Sequence, residues 1–279
     1  MQPVQQGLKI LGTEGLFSFL RAVCRFVYWN TGVRTAYLRV QHRVTGSRTD
    51  IKIGNVSATL STDTYAEFER FYDLKGERKI IEDVVHQISE NDVFYDIGAN
   101  VGLDSCLIGS ATENSEIYPF EPHPTNVESL KRNLQLNNVD CQIFQLALSD
   151  EEGEFELSSE GSEAGLGEHS LDTSGSESTV PVTVRQLDKL RKEQNIPIPT
   201  VVKIDVEGAE MNVLRGFKQS ISNCRVVYCE IHPQSLPNFD STSEQVHDYF
   251  EQYDFVLEKE FKFSEHSSGY MAKFKNKNI

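Results

Sequence analysis

The chain has few cysteines and no C-x-x-C pair. Cys24, Cys106, Cys141, Cys224 and Cys229 are scattered and odd in number. Neither a cysteine zinc site nor a disulfide framework is expected, and a reducing cytoplasm is the default compartment. No apolar run reaches the ~18 residues of a membrane span, and no small-residue cleavage site of a signal peptide is evident. Basic charge is also short: 27 Lys and Arg stand against 42 Asp and Glu, a net charge of −15. That disfavours nucleic-acid binding by charge. The dinucleotide fingerprint G-x-G-x-x-G and a Tyr-x-x-x-Lys pair are both absent, which weighs against a nucleotide-sugar oxidoreductase or epimerase.

What is present suffices for a real core. At 279 residues and 38% hydrophobic content, there is room for one α/β domain of about 200 residues plus an extra segment. Charge is unevenly spread. Residues 1–48 carry seven basic residues (Lys9, Arg21, Arg25, Arg34, Arg39, Arg43, Arg48) against one acid, Glu14. Leu16, Phe17, Phe19, Leu20, Val23, Phe26, Val27, Tyr28 and Trp29 surround Arg21 and Arg25. This is either an amphipathic helix lying on an anionic membrane face or a helix packed on its own domain or a partner subunit.

Residues 49–90 read as a preface of a hairpin and helices. Ile51–Ile53 and Val56–Leu60 flank Gly54-Asn55, a short hairpin signal. Thr64-Tyr65-Ala66-Glu67 is a capping box that opens a helix through about Leu74. Ile80, Ile81, Val84, Val85 and Ile88 recur at helical spacing over 77–90. From 91 to 279, strands are expected at 93–97, 116–121, 142–147, 201–205 and 225–231. Helices are expected at 103–110, 124–137, 185–194, 209–220 and 241–252. Such alternation argues for a parallel sheet with helices on both faces. Phe255–Leu257 and Tyr270–Phe274 lack a helical link and read as an antiparallel hairpin closing that sheet. Residues 150–178 hold ten acids and no Lys or Arg. Glu154–Leu157 and Val180–Val182 are expected to pair around a flexible excursion, within which Gly165–Ser170 is a candidate lid segment.

The chemistry-bearing residues fall at strand ends. Asp96-Ile97-Gly98-Ala99-Asn100-Val101-Gly102 joins an apolar strand to a helix start. It is either an ordinary βα turn or a cradle in which glycine lets backbone approach a ligand. An acid here, with few phosphate-cradling glycines, suits a ligand with a ribose and a cation, and S-adenosylmethionine fits. Glu121, in Phe120-Glu121-Pro122-His123-Pro124, ends the second strand, where one carboxylate can take two ribose hydroxyls; a helix-capping role is the alternative. Asn126 and Asn133, seven apart, share a helix face; the alternative is that both are only surface residues. Ser149 and Asp150 follow the third strand, in reach of an adenine or simply in a turn. Lys203-Ile204-Asp205-Val206-Glu207-Gly208-Ala209-Glu210 ends the fourth strand. There Asp205 and Glu207 suit orienting a sulfonium, taking a proton from a hydroxyl, or binding a divalent metal; no spacing singles out a metal site and none is assigned. Glu210 also fits the first turn of a helix. In Glu230-Ile231-His232-Pro233, alternation puts Glu230 and His232 on one side. His232 is either a general base or a hydrogen-bonded loop histidine.

These five motifs in this order resemble the FkbM family of S-adenosylmethionine-dependent methyltransferases, over about residues 90 to 275. The resemblance implies a Rossmann-like class I fold: a seven-stranded, mostly parallel sheet with a C-terminal antiparallel hairpin. It implies S-adenosylmethionine as donor and a hydroxyl acceptor on a sugar, glycolipid or small metabolite. Asp96, Gly98, Ala99, Asn100, Gly102, Glu121, Pro122, Ser149 and Asp150 are then the expected cofactor residues, and Asp205, Glu207 and His232 the expected catalytic ones. The expected protein is a cytoplasmic enzyme, with peripheral membrane contact through 1–48 as an added possibility. A scaffold that keeps the fold without catalysis is disfavoured by the acids at 96, 121, 205 and 207.

Overall fold

The computed structural model describes residues 32–112, 114–158, 171, 178–263 and 268–279. The aromatic stretch Leu16–Trp29 and the candidate lid Gly165–Ser170 lie outside the described residues. The chain divides into two units, Met1–Ser47 and Arg48–Ile279. In the first, a helix spans Val33–Thr45 and ends on Gly46 in the left-handed conformation. Among the described residues no helix is long and apolar enough to cross a membrane.

The second unit opens with strands β1 (Arg48–Ile53) and β2 (Val56–Ser61), paired antiparallel about Gly54-Asn55. Thr64 caps the helix Tyr65–Asp73: its hydroxyl accepts from Glu67 N, and its own N–H donates to the Glu67 carboxylate. The amphipathic helix Arg78–Gln87 buries Ile80, Ile81 and Val84. Then follow β3 (Val93–Ile97), β4 (Glu116–Phe120), β5 (Ala147–Leu148), β6 (Gly153–Ser158), β7 (Thr179–Arg185), β8 (Val201–Ile204), β9 (Val226–Ile231), β10 (Phe255–Lys262) and β11 (Tyr270–Asn276). The main sheet has the order β10-β11-β9-β8-β3-β4. Strands β4, β3, β8 and β9 run parallel, and β11 is antiparallel to both β9 and β10. The chain leaves β3 toward β4 on one side and later returns to β8 on the other. A sheet of this kind opens a ligand crevice at that reversal, outside the carboxyl ends of its strands.

Seven strands were expected, and this sheet has six among the described residues. The run 142–147 supplies only one parallel bridge, Phe144 to Phe120. Leu146 N donates to Phe144 O in a tight turn, so the backbone leaves the edge at once. Ala147–Leu148 then joins a separate sheet, β5-β7-β6, in which β6 and β7 pair antiparallel with Glu156 opposite Pro181. The helix expected over 209–220 is also shorter, Glu210–Gly216. The buried Asp188 carboxylate accepts from Gln219 N and Ser220 N, and the chain there passes into the 3-10 turn Ile221–Asn223.

Strand alternation sorts the sheet's two faces. Tyr95, Ile97, Val202, Ile204, Val227 and Cys229 share a core with the helices Leu187–Glu193, Glu210–Gly216 and Ser243–Gln252. Phe94, Val201, Val226 and Tyr228 share another with Arg78–Gln87 and with Ile108 of the helix Leu103–Ala111. A third core joins β1 and β2 to Leu103–Ala111 and to Leu130 and Leu134 of the helix Pro124–Leu136. Residues 48–90 are thus packed into the same unit as the sheet. At the amino ends of the strands, Arg225 grips the buried Asp92 through both guanidinium nitrogens at 2.9 and 2.7 Å, and Thr200 donates to the same carboxylate. Cys106, Cys141, Cys224 and Cys229 are free thiols.

Candidate active site

The turn after β3 carries three left-handed residues: Gly98 at φ +81°, Asn100 at +52° and Gly102 at +85°. Gly98 and Ala99 donate their N–H groups to Phe120 O. A β-carbon on Gly98 would lie 1.8 Å from the Asp205 carbonyl oxygen, and one on Gly102 would meet Leu130. Packing against backbone therefore requires glycine at 98, whereas at 102 the positive φ favours it and only the end of a side chain stands in the way. Asn133, which the sequence left as a surface candidate, is buried. It donates to Val101 O and accepts from Ser61 N, tying the glycine turn to β2. Asp96 is buried and accepts from the Ser105 hydroxyl at 2.6 Å. Its second oxygen, like the Asn100 side-chain oxygen, has no hydrogen-bond partner among the described residues. Burial pushes the Asp96 carboxyl up to about 6 against the pull of Lys203.

Glu121 is the hinge between this turn and β4. It accepts from Asn100 N at 2.8 Å, His123 N at 2.9 Å and the Asn126 amide at 3.2 Å. Burial raises its pKa to about 7 although those donors oppose it. Glu121 thus holds the N-cap residue His123 and the Asn126 side chain without taking a backbone N–H of the helix's first turn, and Asn126 is buried rather than a surface residue. Pro122 follows, half-buried. Ser149 donates its N–H to Arg185 O, and its hydroxyl to Asp150. The Ser149 carbonyl lies where a β-carbon on Gly216 would meet it at 2.2 Å. These two residues sit at the root of the β5-β7-β6 sheet.

The loop after β8 brings several buried charges together. Asp205 N extends the parallel ladder by donating to Ile97 O. Strand register sets Asp96 beside Lys203, and Lys203 lies 3.1 Å from Asp205 and 3.4 Å from Asp104. Burial alone would lower the Lys203 ammonium, but Asp205, Asp104 and Asp96 outweigh it and hold its pKa well above the usual value. Glu207 takes φ +53°, followed by Gly208 at +108°. A β-carbon on Gly208 would lie 2.6 Å from Ser235.

His232 stands at the centre of four carboxylates. Its Nδ1 donates to Glu210 at 2.6 Å, and its Nε2 lies 3.3 Å from Glu207 and 3.2 Å from Glu230. Glu210 is fully buried, and it also accepts from Gly208 N at 3.0 Å. Burial would lower the imidazole pKa, yet the bonds to Glu210 and Glu230 and the charges of Glu207 and Asp205 raise it to about 11. Both ring nitrogens face acids, and with no other cation in the cluster those acids favour the protonated ring. This differs from the general base expected of it, which needs a free lone pair. The crowding acts on the acids too: burial and Asp205 push Glu207 up to about 8, and the same pair of causes pushes Glu230 to about 7. Asp205 goes the other way: burial would raise it, but Lys203 and His232 hold it below the usual carboxylate range.

The structure brings Asp205, Glu207 and His232 together, each offering a ligand-type atom within 4.8 Å of the others. Sequence reasoning assigned no metal there. It also did not foresee the parts of Glu210 and Asp104. The i, i+3 spacing of Glu207 and Glu210 was the available signal for Glu210.

Comparison with known proteins supplies the family. The chain is 29% identical over 184 residues to the hexuronic acid methyltransferase AglP of Haloferax volcanii, covering 65% of this chain and 73% of that one. It is 25% identical over 176 residues to the 2-O-methyltransferase NoeI of Sinorhizobium fredii, covering 57% and 71%. Among solved structures, precorrin-6y C5,15-methyltransferase of Geobacter metallireducens is 12% identical with a TM-score of 0.45, covering 71% of this chain and 88% of that one. The methyltransferase FkbM domain model matches residues 96–257. That span takes in the glycine turn, Glu121, the β8 loop and His232. The chain belongs to the FkbM family of methyltransferases and has its α/β, Rossmann-like class I fold.

Proposed function

We propose that the protein is an S-adenosylmethionine-dependent O-methyltransferase acting on a hydroxyl of a sugar, in a glycan, a glycolipid or a small metabolite. The observation that carries this reading is the contact of two acid-bearing loops at the carboxyl ends of β3 and β8, where Gly98 lies against the Asp205 carbonyl. The turn Asp96–Gly102 has the chemistry for the donor. Asp96 and Asn100 each keep one buried oxygen without a partner among the described residues. Glu121 accepts three hydrogen bonds of the roughly four that a carboxylate can take. Acceptors therefore remain for an ammonium group and ribose hydroxyls. Ala99 and Pro122 border them, and Ser149 and Asp150 are proposed to meet the adenine.

Bound S-adenosylmethionine supplies an activated sulfonium methyl group. The chain's own tasks are to align the acceptor oxygen and to remove its proton. We assign both to the β8 loop and the end of β9. The acceptor hydroxyl is held by Asp205 and Glu207, and its proton passes to a carboxylate of the cluster rather than to His232. A hexuronic acid and a 2-O position appear in the names of two relatives, which favours a sugar hydroxyl. A uronate carboxylate would meet Lys203 as the buried cation of this edge. The basic, aromatic segment 1–48 supports peripheral contact with an anionic membrane face. Flotation with anionic liposomes is expected to be lost on deleting 1–48, and flotation that survives the deletion refutes it.

Calorimetry with S-adenosylmethionine and with NAD tests the donor. Binding of S-adenosylmethionine alone is expected; binding of NAD alone sinks the proposal. Transfer of labelled methyl to a panel of saccharides tests the acceptor. Transfer to an amine but to no hydroxyl would overturn O-methylation.

A further inference from the structure

We propose that Asp205, Glu207 and Nε2 of His232 form a divalent-cation site of the kind that takes Mn2+ or Mg2+, with Glu230 as a neighbouring fourth ligand. The three ligand atoms lie within 4.8 Å of one another. Nε2 stands 3.3 Å from Glu207 and 3.2 Å from Glu230. Two ligands at right angles around an ion bound at about 2.1 Å are about 3 Å apart. The two Nε2 spacings are therefore those of adjacent ligands on one ion, and side-chain movement would close the rest of the set from its 4.8 Å limit.

An independent feature points the same way. The imidazole is oriented from behind. Its Nδ1 donates to Glu210 at 2.6 Å, and Glu210 is itself fixed by Gly208 N. That arrangement turns Nε2 into the cluster, and a histidine that binds a metal commonly gives its other N–H to a carboxylate in this way. Glu210 is fully buried, and its second oxygen has no partner among the described residues. An ion here would take the place of the Nε2 proton, which is released as the metal binds, and would face the Glu207 and Glu230 carboxylates that crowd that nitrogen. Two or three carboxylates with one imidazole and no thiolate suit Mn2+ best among common divalent ions, with Mg2+ next. On the methyltransferase reading above, on which this role rests, the ion would carry the acceptor oxygen and make its proton easier to remove.

The test is a titration of the full chain with Mn2+, followed by loss of the free-ion EPR signal, without donor or acceptor. One saturable site per chain is expected. Glu207→Gln and His232→Gln are each expected to weaken binding at least ten-fold while leaving the circular dichroism spectrum unchanged. If Glu207→Gln fails to fold, Asp205→Asn replaces it. No saturable binding, or equal affinity in the folded variants, overturns the site and leaves only adventitious ions on surface acids. Because neither donor nor acceptor is present, a chain that binds Mn2+ but methylates no saccharide supports the site and counts against the reading of function.

Discussion

Gly98 and Asp205 are locked together: a β-carbon on Gly98 would sit 1.8 Å from the Asp205 carbonyl oxygen. The glycine motif after β3 and the acidic motif after β8 are therefore one object, although 107 residues separate them. Gly98→Ala would add a clash with backbone to an unfavourable positive φ of +81°. A cost of roughly 2–4 kcal/mol follows, or a fall in Tm of roughly 4–16 °C for a unit of this size. Donor binding should be lost with it. Gly102→Ala meets only the Leu130 side chain, which can move, and should cost less. Thermal melts of the two variants decide the order.

Glu121 should make donor affinity depend on pH. Its folded pKa is raised to about 7, by burial first. An acid whose pKa is raised stabilises the fold below its unfolded pKa, and that contribution is lost as pH rises through about 7. Ligand binding has the opposite sign, because the ionised carboxylate is the better acceptor for ribose hydroxyls. S-adenosylmethionine affinity is expected to rise up to about ten-fold between pH 6 and 8. Calorimetry on Glu121→Gln should show weaker binding with that slope removed. A slope that persists in Glu121→Gln would assign it to another group.

The two levels of the molecule were not equally legible. Strand and helix alternation is written in local periodicity. So β3, β4, β8, β9 and the capping box at Thr64 fall within a residue or two of expectation, and the closing hairpin is present, although its first strand runs on to Lys262 rather than ending at Leu257. The seventh strand failed because a pairing is not local: the run around Phe144 has strand composition, but a tight turn at Leu146 ends it. The site was legible as an inventory of acids at strand tips. How those acids share charge was not. Nothing in Glu230-Ile231-His232-Pro233 says that Glu210, on a different element, holds the ring from behind. Those contacts raise the His232 pKa to about 11, although its ordinary value had suggested a base.

The opposite end of the sheet should govern acid stability. Asp92 is gripped by Arg225 through two nitrogens and receives Thr200 and Ser89 N as well. Burial opposes ionisation there, but Arg225 and Thr200 overcome it and hold the pKa below the usual carboxylate range. A lowered pKa gives stability that is present at neutral pH and lost as pH falls below about 4. Asp92→Asn is expected to cost about 2–3 kcal/mol at pH 7, since it leaves Arg225 unpaired in a mostly buried setting. Urea melts of wild type and variant should converge as pH falls below about 4. A gap that stays constant with pH would show that the pair contributes through shape alone.

Glu207 offers the sharpest separation of stability from function. It holds φ +53° without being glycine or asparagine, a conformation that costs of order 1 kcal/mol or more for an ordinary side chain. Its carboxylate is also forced to share a buried space with Asp205 and Glu230, which pushes its pKa up to about 8. The strained residue is also the one whose carboxylate faces His232. Glu207→Gly relieves the backbone and removes one of the crowded acids. It should raise Tm by roughly 2–4 °C, the equivalent of about 1 kcal/mol for a unit of this size, while methyl transfer falls by about 10²-fold or more. Glu207→Gln keeps the strain and replaces the carboxyl with an amide that cannot ionise, so its Tm should rise less for a similar loss of transfer. Differential scanning calorimetry beside a single-turnover transfer assay reads both effects. A Glu207→Gly variant that is less stable than wild type would mean that the left-handed turn is held by packing, and that the strain has no part in presenting the carboxylate.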